Sequence, residues 1–446
     1  MDSRARAAKT RRATAPKITG KAWFVIVMLS LVGQVAWAVE NNFFNLFIQD
    51  AFGASLSDVA LMVSASAVTA TATTLFAGAW SDRTGRRKPF VVVGTLLWGA
   101  SILVFSSLQQ ISSALAKDVV AAASLGITLT IVFDCVMTFF GSLANDSAFN
   151  AWVTDITDET NRGAVEGVNS AMPLIAMLAV FGGAMFLMAV SEDGTVTYDY
   201  ALFFEIIGFV VLASAAVTGF LMNESSPEPS DAGVLRGLAY GFLPSTVRAN
   251  PRLYQVLAAY CVFSIATQVF MPYYVLYLRL PYILGEGYVL VMAPCIILAA
   301  VFTIVYGRVV DKRGFVGSVF VPLALFVVGN AVLGLLAHPV AVFVGSALML
   351  CGYLGSIACF AAEVRNNTPA GHVGLLQGIR IIAVVLVPML VGPWIGSTIS
   401  ASSGAVVGFG VVGDGFTPSS LVFLGGAVVA VVSALLVRTL LAKPAR

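Results

Sequence analysis

Charged side chains are scarce in this chain. Asp, Glu, Lys and Arg make up only 11% of its 446 residues, whereas about a quarter is usual in soluble domains. Apolar residue types supply 59% of the chain, and the mean hydropathy is +0.92. This composition excludes an ordinary soluble domain and predicts a protein whose solvent is a lipid bilayer. We expect lipid and a small solute as its partners, and no nucleic acid.

The chain also lacks a pattern of metal ligands or nucleophiles. Its five cysteines lie singly in apolar runs, without Cys-x-x-Cys or Cys/His spacing, and are interpreted as small buried apolar residues. We therefore expect no metal, no cofactor and no disulfide framework. No nucleophile–base arrangement is visible either, which disfavours an enzyme embedded in the membrane.

Long apolar segments dominate what is present. A membrane-spanning helix needs about 20 mostly apolar residues, and twelve segments meet this length. The first is too long for a signal peptide, so we expect it to stay in the mature protein. The sequence predicts an all-α membrane protein with two pseudo-symmetric six-helix bundles. Its parts are a basic tail (1–21), the first bundle (22–222), a linker rich in Pro, Ser and acids (223–251), the second bundle (252–441) and a short tail (442–446).

Basic residues are distributed unevenly between the loops. If both termini are cytoplasmic, most Lys and Arg residues lie in cytoplasmic segments, and the opposite loops carry mainly acids. This is the positive-inside pattern. It predicts a multi-pass protein of the inner cell membrane with both termini in the cytoplasm.

A loop motif occurs twice, after the second and the eighth predicted helix. Each copy has Gly, then Asp four residues later, then a base, then Gly three residues after the Asp. Such internal repeats are typical of secondary transporters, whose substrate site lies between the repeats near mid-membrane. The motif residues are Gly78, Asp82, Arg83, Gly85, Arg86 and Arg87 in the first copy, and Gly307, Asp311, Lys312 and Gly314 in the second.

The first copy resembles the signature loop of the major facilitator superfamily, and the second matches the degenerate copy that this family carries. The resemblance covers the whole chain. It implies twelve helices with both termini inside, transport of a small solute by alternating access, and no catalysed reaction. We expect the protein to be a monomer.

The motif has a physical role that can be predicted. Gly78 allows a neighbouring helix to approach closely, and Asp82 can accept hydrogen bonds from a facing helix or pair with Arg86 or Arg87. Such contacts would hold the halves together on the cytoplasmic side and break on opening. The alternative is that the bases only satisfy the positive-inside rule, which leaves the matched glycines and aspartates unexplained.

A narrower resemblance rests on residues 78–90 and 145–155 and on Arg380 in the eleventh predicted helix. These are similar to the glycoside–pentoside–hexuronide:cation symporters and the related sucrose carriers. Melibiose-type members carry two aspartates in helix 2 where this chain has Ala70 and Thr74. That departure favours H⁺ over Na⁺ as the coupling ion.

Polar residues inside the spans are candidates for solute binding, because they are costly in lipid and usually face a cavity. In the first helix Gln34, Trp37, Asn41 and Asn45 share one face at α-helical spacing, which suits a hydroxyl-rich solute. The alternative is a polar seam between helices. In the second half the candidates are Tyr260, Gln268 and Tyr353.

The acids of the spans are candidates for coupling. Asp134 lies deep in the fourth helix, Asp146 lies nearer its cytoplasmic end, and Glu40 borders the polar face of the first. Any of them could carry a proton, because burial disfavours a charged carboxylate. Arg380 is the candidate partner of one of them, and a permanent Asp146–Arg380 ion pair is the alternative to a proton carrier.

Two transport functions remain open. The first is a proton- or cation-coupled symporter for a sugar- or glycoside-like solute. The second is a proton-coupled exporter of a drug or metabolite, although the fifth helix lacks the Gly-x-x-x-Gly-Pro-x-x-Gly-Gly motif usual in such antiporters. A channel is disfavoured because no segment resembles a selectivity filter.

Overall fold

The computed structural model describes residues 18–158, 161–190, 196–225, 240–369, 373–403, 406–407 and 415–441. Long apolar runs form helices because every main-chain polar group must find a partner within its own segment in lipid. The spanning helices of the first half are α1 (Gly20–Phe52), α2 (Leu56–Thr84), α3 (Lys88–Phe105), α4 (Val119–Ile156), α5 (Arg162–Met185) and α6 (Tyr200–Leu221).

The second half has the same arrangement. Its helices are α7 (Pro251–Leu278), α8 (Gly285–Val310), α9 (Phe320–Leu335), α10 (Pro339–Asn367), α11 (Gly378–Ser402) and α12 (Leu421–Thr439). Within the described residues, eleven of these are long and apolar enough to cross a membrane. The twelfth span is formed by α9 together with Lys312–Ser318, which meet at a bend of 43°. The predicted count of twelve and the all-α class are confirmed.

Short connections make successive helices antiparallel, so the bundle has two ends. We call the end with the α2–α3 and α8–α9 loops the basic face, and the end at which α1 finishes the far face. Two antiparallel β-hairpins occupy equivalent far-face loops: Met188–Val190 pairs with Val196–Tyr198 between α5 and α6, and Val406–Val407 pairs with Gly415–Phe416 between α11 and α12. This matches the two-fold repeat seen in the loop motif.

Within the described residues, four spanning helices contain a π-helical segment, and in α12 this segment, Val437–Leu441, forms the end of the helix; the other three lie inside α1, α4 and α11. These three are Glu40–Phe44 in α1, Ser142–Phe149 in α4 and Ile382–Leu386 in α11. The wider turn changes which residues share a face, and such segments often mark functional sites. The sequence analysis assigned residues to helix faces at α-helical spacing, and this assignment is valid only as far as the π-helical segment of each helix.

Aromatic side chains fill the core near the far face in each half. In the first half Phe44 stacks on Phe105 with ring centroids 4.1 Å apart and meets Phe204 edge-on at 5.4 Å. In the second half Phe270 lies 5.8 Å from Phe326 and 5.4 Å from Phe423. Such pairs contribute packing energy beyond their buried area, and they make the far-face part of each half rigid.

The linker is partly ordered. Residues 226–239 lie outside the described part of the chain, and a short helix, Pro244–Ala249, precedes α7. Asn223–Ser225 runs beside the α2–α3 loop, where the Glu224 carboxylate accepts hydrogen bonds from the main-chain N–H groups of Arg87 (2.7 Å) and Lys88 (3.2 Å). Glu224 therefore caps α3.

Helices α9 and α10 approach each other closely. A Cβ at Gly352 would overlap the main chain of Phe326, and one at Gly329 would overlap that of Met349. Close helix contact through small residues is a main source of packing energy in membranes. By contrast, a Cβ at Gly182 of α5 would meet no atom within 4 Å.

Replacing Gly352 therefore has a defined cost. We expect Gly352→Ala to destabilise the protein by about 1–3 kcal/mol, because the two helices must separate. Gly182→Ala is the matched control and should be neutral or slightly stabilising, since Ala favours a helix. Thermal unfolding of the two variants in detergent measures the difference, and equal melting temperatures would contradict the close approach.

Candidate functional site

A buried carboxyl lies at the π-helical segment of α1. Glu40 is 8% exposed, and its Oε1 accepts hydrogen bonds from Ser66 Oγ of α2 (2.7 Å) and Thr138 Oγ1 of α4 (3.0 Å). The two hydroxyls also lie 2.9 Å apart. Three helices thus meet at one carboxyl group. Ser66 was not anticipated from the sequence, because a serine in an apolar span gives no distinctive signal.

Asp134 of α4 completes this centre. It is 1% exposed, lies one turn from Thr138, and interacts electrostatically with Glu40. Glu40 Oε2 and Asp134 Oδ1 have no hydrogen-bond partner among the described residues. Glu40 lies about 18 Å along its helix from the far face and Asp134 about 22 Å, which places both near mid-membrane. The centre has two acids, two hydroxyls and two free acceptor oxygens.

Asp146 lies apart from this pair, nearer the basic face. It is partly buried within the π-helical segment of α4, accepts a hydrogen bond from Ser142 Oγ at 3.1 Å, and lies beside the Trp37 indole. Trp37 in turn packs on Trp98 with ring centroids 5.0 Å apart. The sequence placed Asp146 on a different face from Asp134. In the structure Asp146 has hydrogen-bonding neighbours of its own, but it interacts electrostatically with Glu40, as Asp134 does.

The polar face predicted on α1 is divided in the structure. Gln34 and Trp37 are partly buried and Asn41 is exposed, so these three can meet a solute. Asn45 differs: it is 3% exposed, and its Nδ2 donates to the Pro272 carbonyl of α7 at 3.2 Å. In this conformation Asn45 joins the two halves instead of lining an open cavity, and its Nδ2 also donates to the Asn41 carbonyl at 3.0 Å.

The second-half candidates lie on α7 and α10. Tyr260 is 5% exposed and stacks on Phe360 with ring centroids 5.1 Å apart and planes 7° apart. Tyr353 interacts electrostatically with Tyr260. Gln268 lies against α11, where a Cβ at Gly392 would collide with it. Gln268 is therefore a helix-packing residue, at least in part.

Arg380 does not have the partner that the sequence suggested. Its side chain is exposed, and within the described residues no carboxylate lies within 4 Å of it. The alternative of an Asp146–Arg380 ion pair is thus not formed in this conformation. The physical reason is that Asp146 belongs to the first half and Arg380 to the second, and the contacts described below join these halves at the far face.

The motif loop forms a charge cluster within the first half. Arg87 pairs with Asp82 at 2.7 Å and with Asp155 of α4 at 3.0 Å, and it also donates to Ser81 Oγ at 2.7 Å. Pairing of Asp82 with Arg87 is one of the two partners that the sequence allowed. The Asp82 side chain is 50% exposed, and Arg83 and Arg86 are exposed. The loop is thus available to a partner surface at the basic face.

The motif glycines have separate roles. Gly85 ends α2 with φ of 62°, and Gly314 has φ of 69° at the equivalent place in the second half. This left-handed conformation favours glycine, and it explains the matched spacing. A Cβ at Gly78 would lie 3.4 Å from Ser147 Oγ of α4, which is an ordinary contact distance, and Gly307 has open space around it, so space does not require glycine at either position. Lys312 is exposed, and the Asp311 side chain lies outside the described part.

At the far face an ion network joins the halves. Arg279, which follows α7, pairs with Asp50 of α1 at 2.8 Å and with Glu286 at 3.0 Å. Tyr198 donates to Glu286 at 2.8 Å, and Tyr200 donates to Asp50 at 2.6 Å. The Arg279 guanidinium also lies 5.2 Å from the centre of the Tyr198 ring. Burial lowers the pKa of Arg279, but the Asp50 and Glu286 carboxylates outweigh burial and raise it.

Deeper contacts extend this far-face network, by which we mean Asp50, Tyr198, Tyr200, Arg279 and Glu286. Ser64 of α2 donates to the Met389 carbonyl of α11 at 3.1 Å and accepts from Trp394 at the same distance. Tyr273 of α7 donates to the Leu56 carbonyl at 3.3 Å. The structure thus holds its halves together at the far face. Sequence reasoning missed this network, although opposite charges at three far-face helix ends were a usable signal.

Two six-helix halves with matched loops, and polar residues facing one another between them, define a multi-pass membrane protein built from an internal repeat. The model of the Major Facilitator Superfamily matches residues 25–390, and the chain belongs to this family. It is therefore a transporter and not an enzyme. No curated protein sequence matches the chain.

Solved structures show the same fold. A D-xylose–proton symporter is 12% identical with a TM-score of 0.72, over 94% of this chain and 97% of the other. A bacterial homologue of the human lysosomal transporter Spinster is 14% identical with a TM-score of 0.68, over 96% and 100%. The nucleoside transporter NupG is 11% identical with a TM-score of 0.69, over 94% and 99%. At these identities the likeness shows the fold alone.

Removing the central charge of the far-face network should open that face. We expect Arg279→Gln to leave Asp50 and Glu286 as two unpaired acids, and so to raise far-face labelling of a cysteine at Ser64, in a background without the five native cysteines. Labelling with a membrane-impermeant maleimide measures this. The Asp50→Arg/Arg279→Asp exchange should restore low labelling, and unchanged labelling in Arg279→Gln would contradict the role of the network.

Proposed function

We propose that the chain is a proton-coupled symporter that moves a small hydroxyl-rich solute by alternating access. The observation that carries the coupling is the pair of buried carboxyls, Glu40 and Asp134, which have no basic partner among the described residues. Two unpaired charges near mid-membrane would cost many kcal/mol, so at least one of these acids must be neutral. Proton uptake and release there supplies a coupling step.

The solute would bind between this centre and the second half. Gln34, Trp37 and Asn41 offer hydrogen bonds and one aromatic surface, as sugars and glycosides require. The narrower resemblance of the motif loop and of the end of α4 to sugar symporters supports the same class. Alanine and threonine at positions 70 and 74 favour H⁺ over Na⁺. We place the protein in the inner cell membrane with the basic face in the cytoplasm, from the positive-inside pattern.

A proton-coupled exporter is the second candidate. The same buried acids would serve it, since both modes need a group that gains and loses a proton. An inward and an outward proton gradient are imposed in turn, and the gradient that makes solute accumulate inside the vesicle distinguishes a symporter from an exporter. The experiment is therefore uptake into proteoliposomes, with the solute first identified by a thermal-shift screen of sugars, glycosides and organic acids.

Neutralising the central acid should uncouple transport. We expect Glu40→Gln to abolish accumulation driven by a pH gradient while solute exchange continues, because exchange needs no net proton movement. Asp134→Asn and Asp146→Asn test which other acid takes part in the same step. Glu205→Gln is the matched control, since Glu205 is an exposed acid on spanning helix α6. Gradient-driven accumulation by all three site variants at wild-type level would refute proton coupling through these acids.

Asp82 should control the opposite end of the transporter. We expect it to stabilise the state in which the basic-face ends of the halves touch, so Asp82→Asn should shift the balance toward the conformation described above. In that state Asp82 would make a charge-assisted contact with the other half, and the loss of this contact corresponds to about 1.5–3 kcal/mol. The measurement is maleimide labelling of a cysteine at exposed Asn150, which should rise, and of one at Ser64, which should fall.

Glu166→Gln is the control for Asp82, because it removes an exposed acid near the basic face without touching the motif loop. If Asp82→Asn loses transport while both cysteines react as before, Asp82 acts in folding or insertion and not as a latch.

A further inference from the structure

Three donor residues of the second half, Arg380, Tyr260 and Tyr353, lie on α11, α7 and α10. Arg380 of α11 is exposed and interacts electrostatically with Tyr260 of α7, which interacts in the same way with Tyr353 of α10. The residues that follow Arg380, Ile382–Leu386, contact both α2 and α7. This part of α11 thus lies at the boundary between the halves.

These groups have no acceptor within the part of the chain that the structure describes: Arg380 has no ion pair there, and neither tyrosine hydroxyl has a hydrogen bond. A guanidinium remains charged at every physiological pH, and in a spanning segment it requires an anion or water. Glu363, an acid of the same half on α10, pairs with Arg252 at 3.3 Å.

Charge is therefore separated between the two halves. The three acids proposed for coupling, Glu40, Asp134 and Asp146, belong to the first half, and Arg380 belongs to the second. A solute bound between the halves would meet hydrogen-bonding groups and protonatable acids on one side. On the other side it would meet a fixed positive charge with two hydroxyls.

We propose that Arg380, with Tyr260 and Tyr353, binds a carboxylate or phosphate group of the transported solute. This inference rests on the proposed transport function and specifies its substrate class as a hydroxyl-bearing anion. The planar guanidinium suits both groups, because it can donate two parallel hydrogen bonds to their oxygens. The hydroxyl of Tyr260, which interacts electrostatically with Arg380, supplies a further donor.

Asp146 is the one competing partner that the helix geometry allows. Arg380 lies about 10 Å along the helix from Val373, where the helical stretch that leads into α11 begins, and Tyr260 and Asp146 lie about 14–15 Å from the basic-face ends of their helices. If the basic face closes, Asp146 comes opposite Arg380 at similar depth. If Arg380 only forms an ion pair with Asp146, removing the charges of both residues together should be harmless. If Arg380 binds the solute, it should be needed whether or not Asp146 is charged.

The test uses anions on purified full-length protein. Thermal unfolding is measured with sodium acetate and sodium phosphate against sodium chloride at equal ionic strength, and with glucose against glucuronate and glucose 6-phosphate. We expect acetate or phosphate to stabilise the wild type, and the charged sugars to do so more than glucose. Arg380→Gln should weaken this anion effect at least ten-fold. Arg380→Lys should weaken it less, because it keeps the charge and loses the planar fork.

Arg365→Gln is the matched control, since Arg365 is an exposed arginine at the basic-face end of α10; it should leave the anion effect unchanged. The proposal is overturned if no anion stabilises the wild type beyond chloride, or if Arg380→Gln responds as the wild type does. It is also overturned if Arg380→Gln/Asp146→Asn recovers full stability and transport. Because this binding is measured at constant pH without a gradient, it can succeed or fail independently of proton coupling through Glu40.

Discussion

The cost of burying charge in a bilayer governs where the polar residues of this protein lie. An ionised side chain near mid-membrane needs a partner, a proton or water. Glu40 receives two hydroxyl donors, from Ser66 and Thr138, and these are too few to stabilise two neighbouring carboxylates. The helices around this centre are therefore held in an arrangement that is stable only with at most one charge. The protonation state of Glu40 and Asp134 therefore depends on how three helices of the first half, α1, α2 and α4, are packed.

The two faces of the bundle satisfy the same constraint in different ways. At the far face Arg279 is shared by two carboxylates and lies over a tyrosine ring. At the basic face Arg87 is likewise shared, by Asp82 and Asp155. The difference is in what the pairs connect. The Arg279 pairs include one that crosses between the halves, and the Arg87 pairs stay within the first half. A transporter that works by alternating access needs contacts between its two halves at only one face at a time.

The sequence was sufficient for the features that depend on local pattern. Apolar runs of about 20 residues located the helices, and the matched loops located the repeat, since both signals lie within a few consecutive residues. Tertiary ion pairs could not be predicted from local pattern, because their members are far apart in the chain: Asp50 and Arg279 are separated by 229 residues. The π-helical segments were also not predictable, because they are main-chain hydrogen-bond choices with no side-chain signature. Asn45 was predicted to face the cavity with Asn41, whereas in the structure it donates to the main-chain carbonyls of Asn41 and Pro272, a long-range contact that the sequence does not show.

The separation of charge between the halves bears on how proton and solute would be coupled. If a solute anion binds at Arg380, the cavity contains one fixed positive charge, one solute negative charge and the acids of the first half. With those acids protonated the loaded cavity is close to neutral, and a neutral load crosses the low-dielectric barrier at the lowest electrostatic cost. With the acids ionised the same solute faces like charges across the cavity. Under this proposal solute and proton favour each other's binding through electrostatics alone, without a direct contact between them.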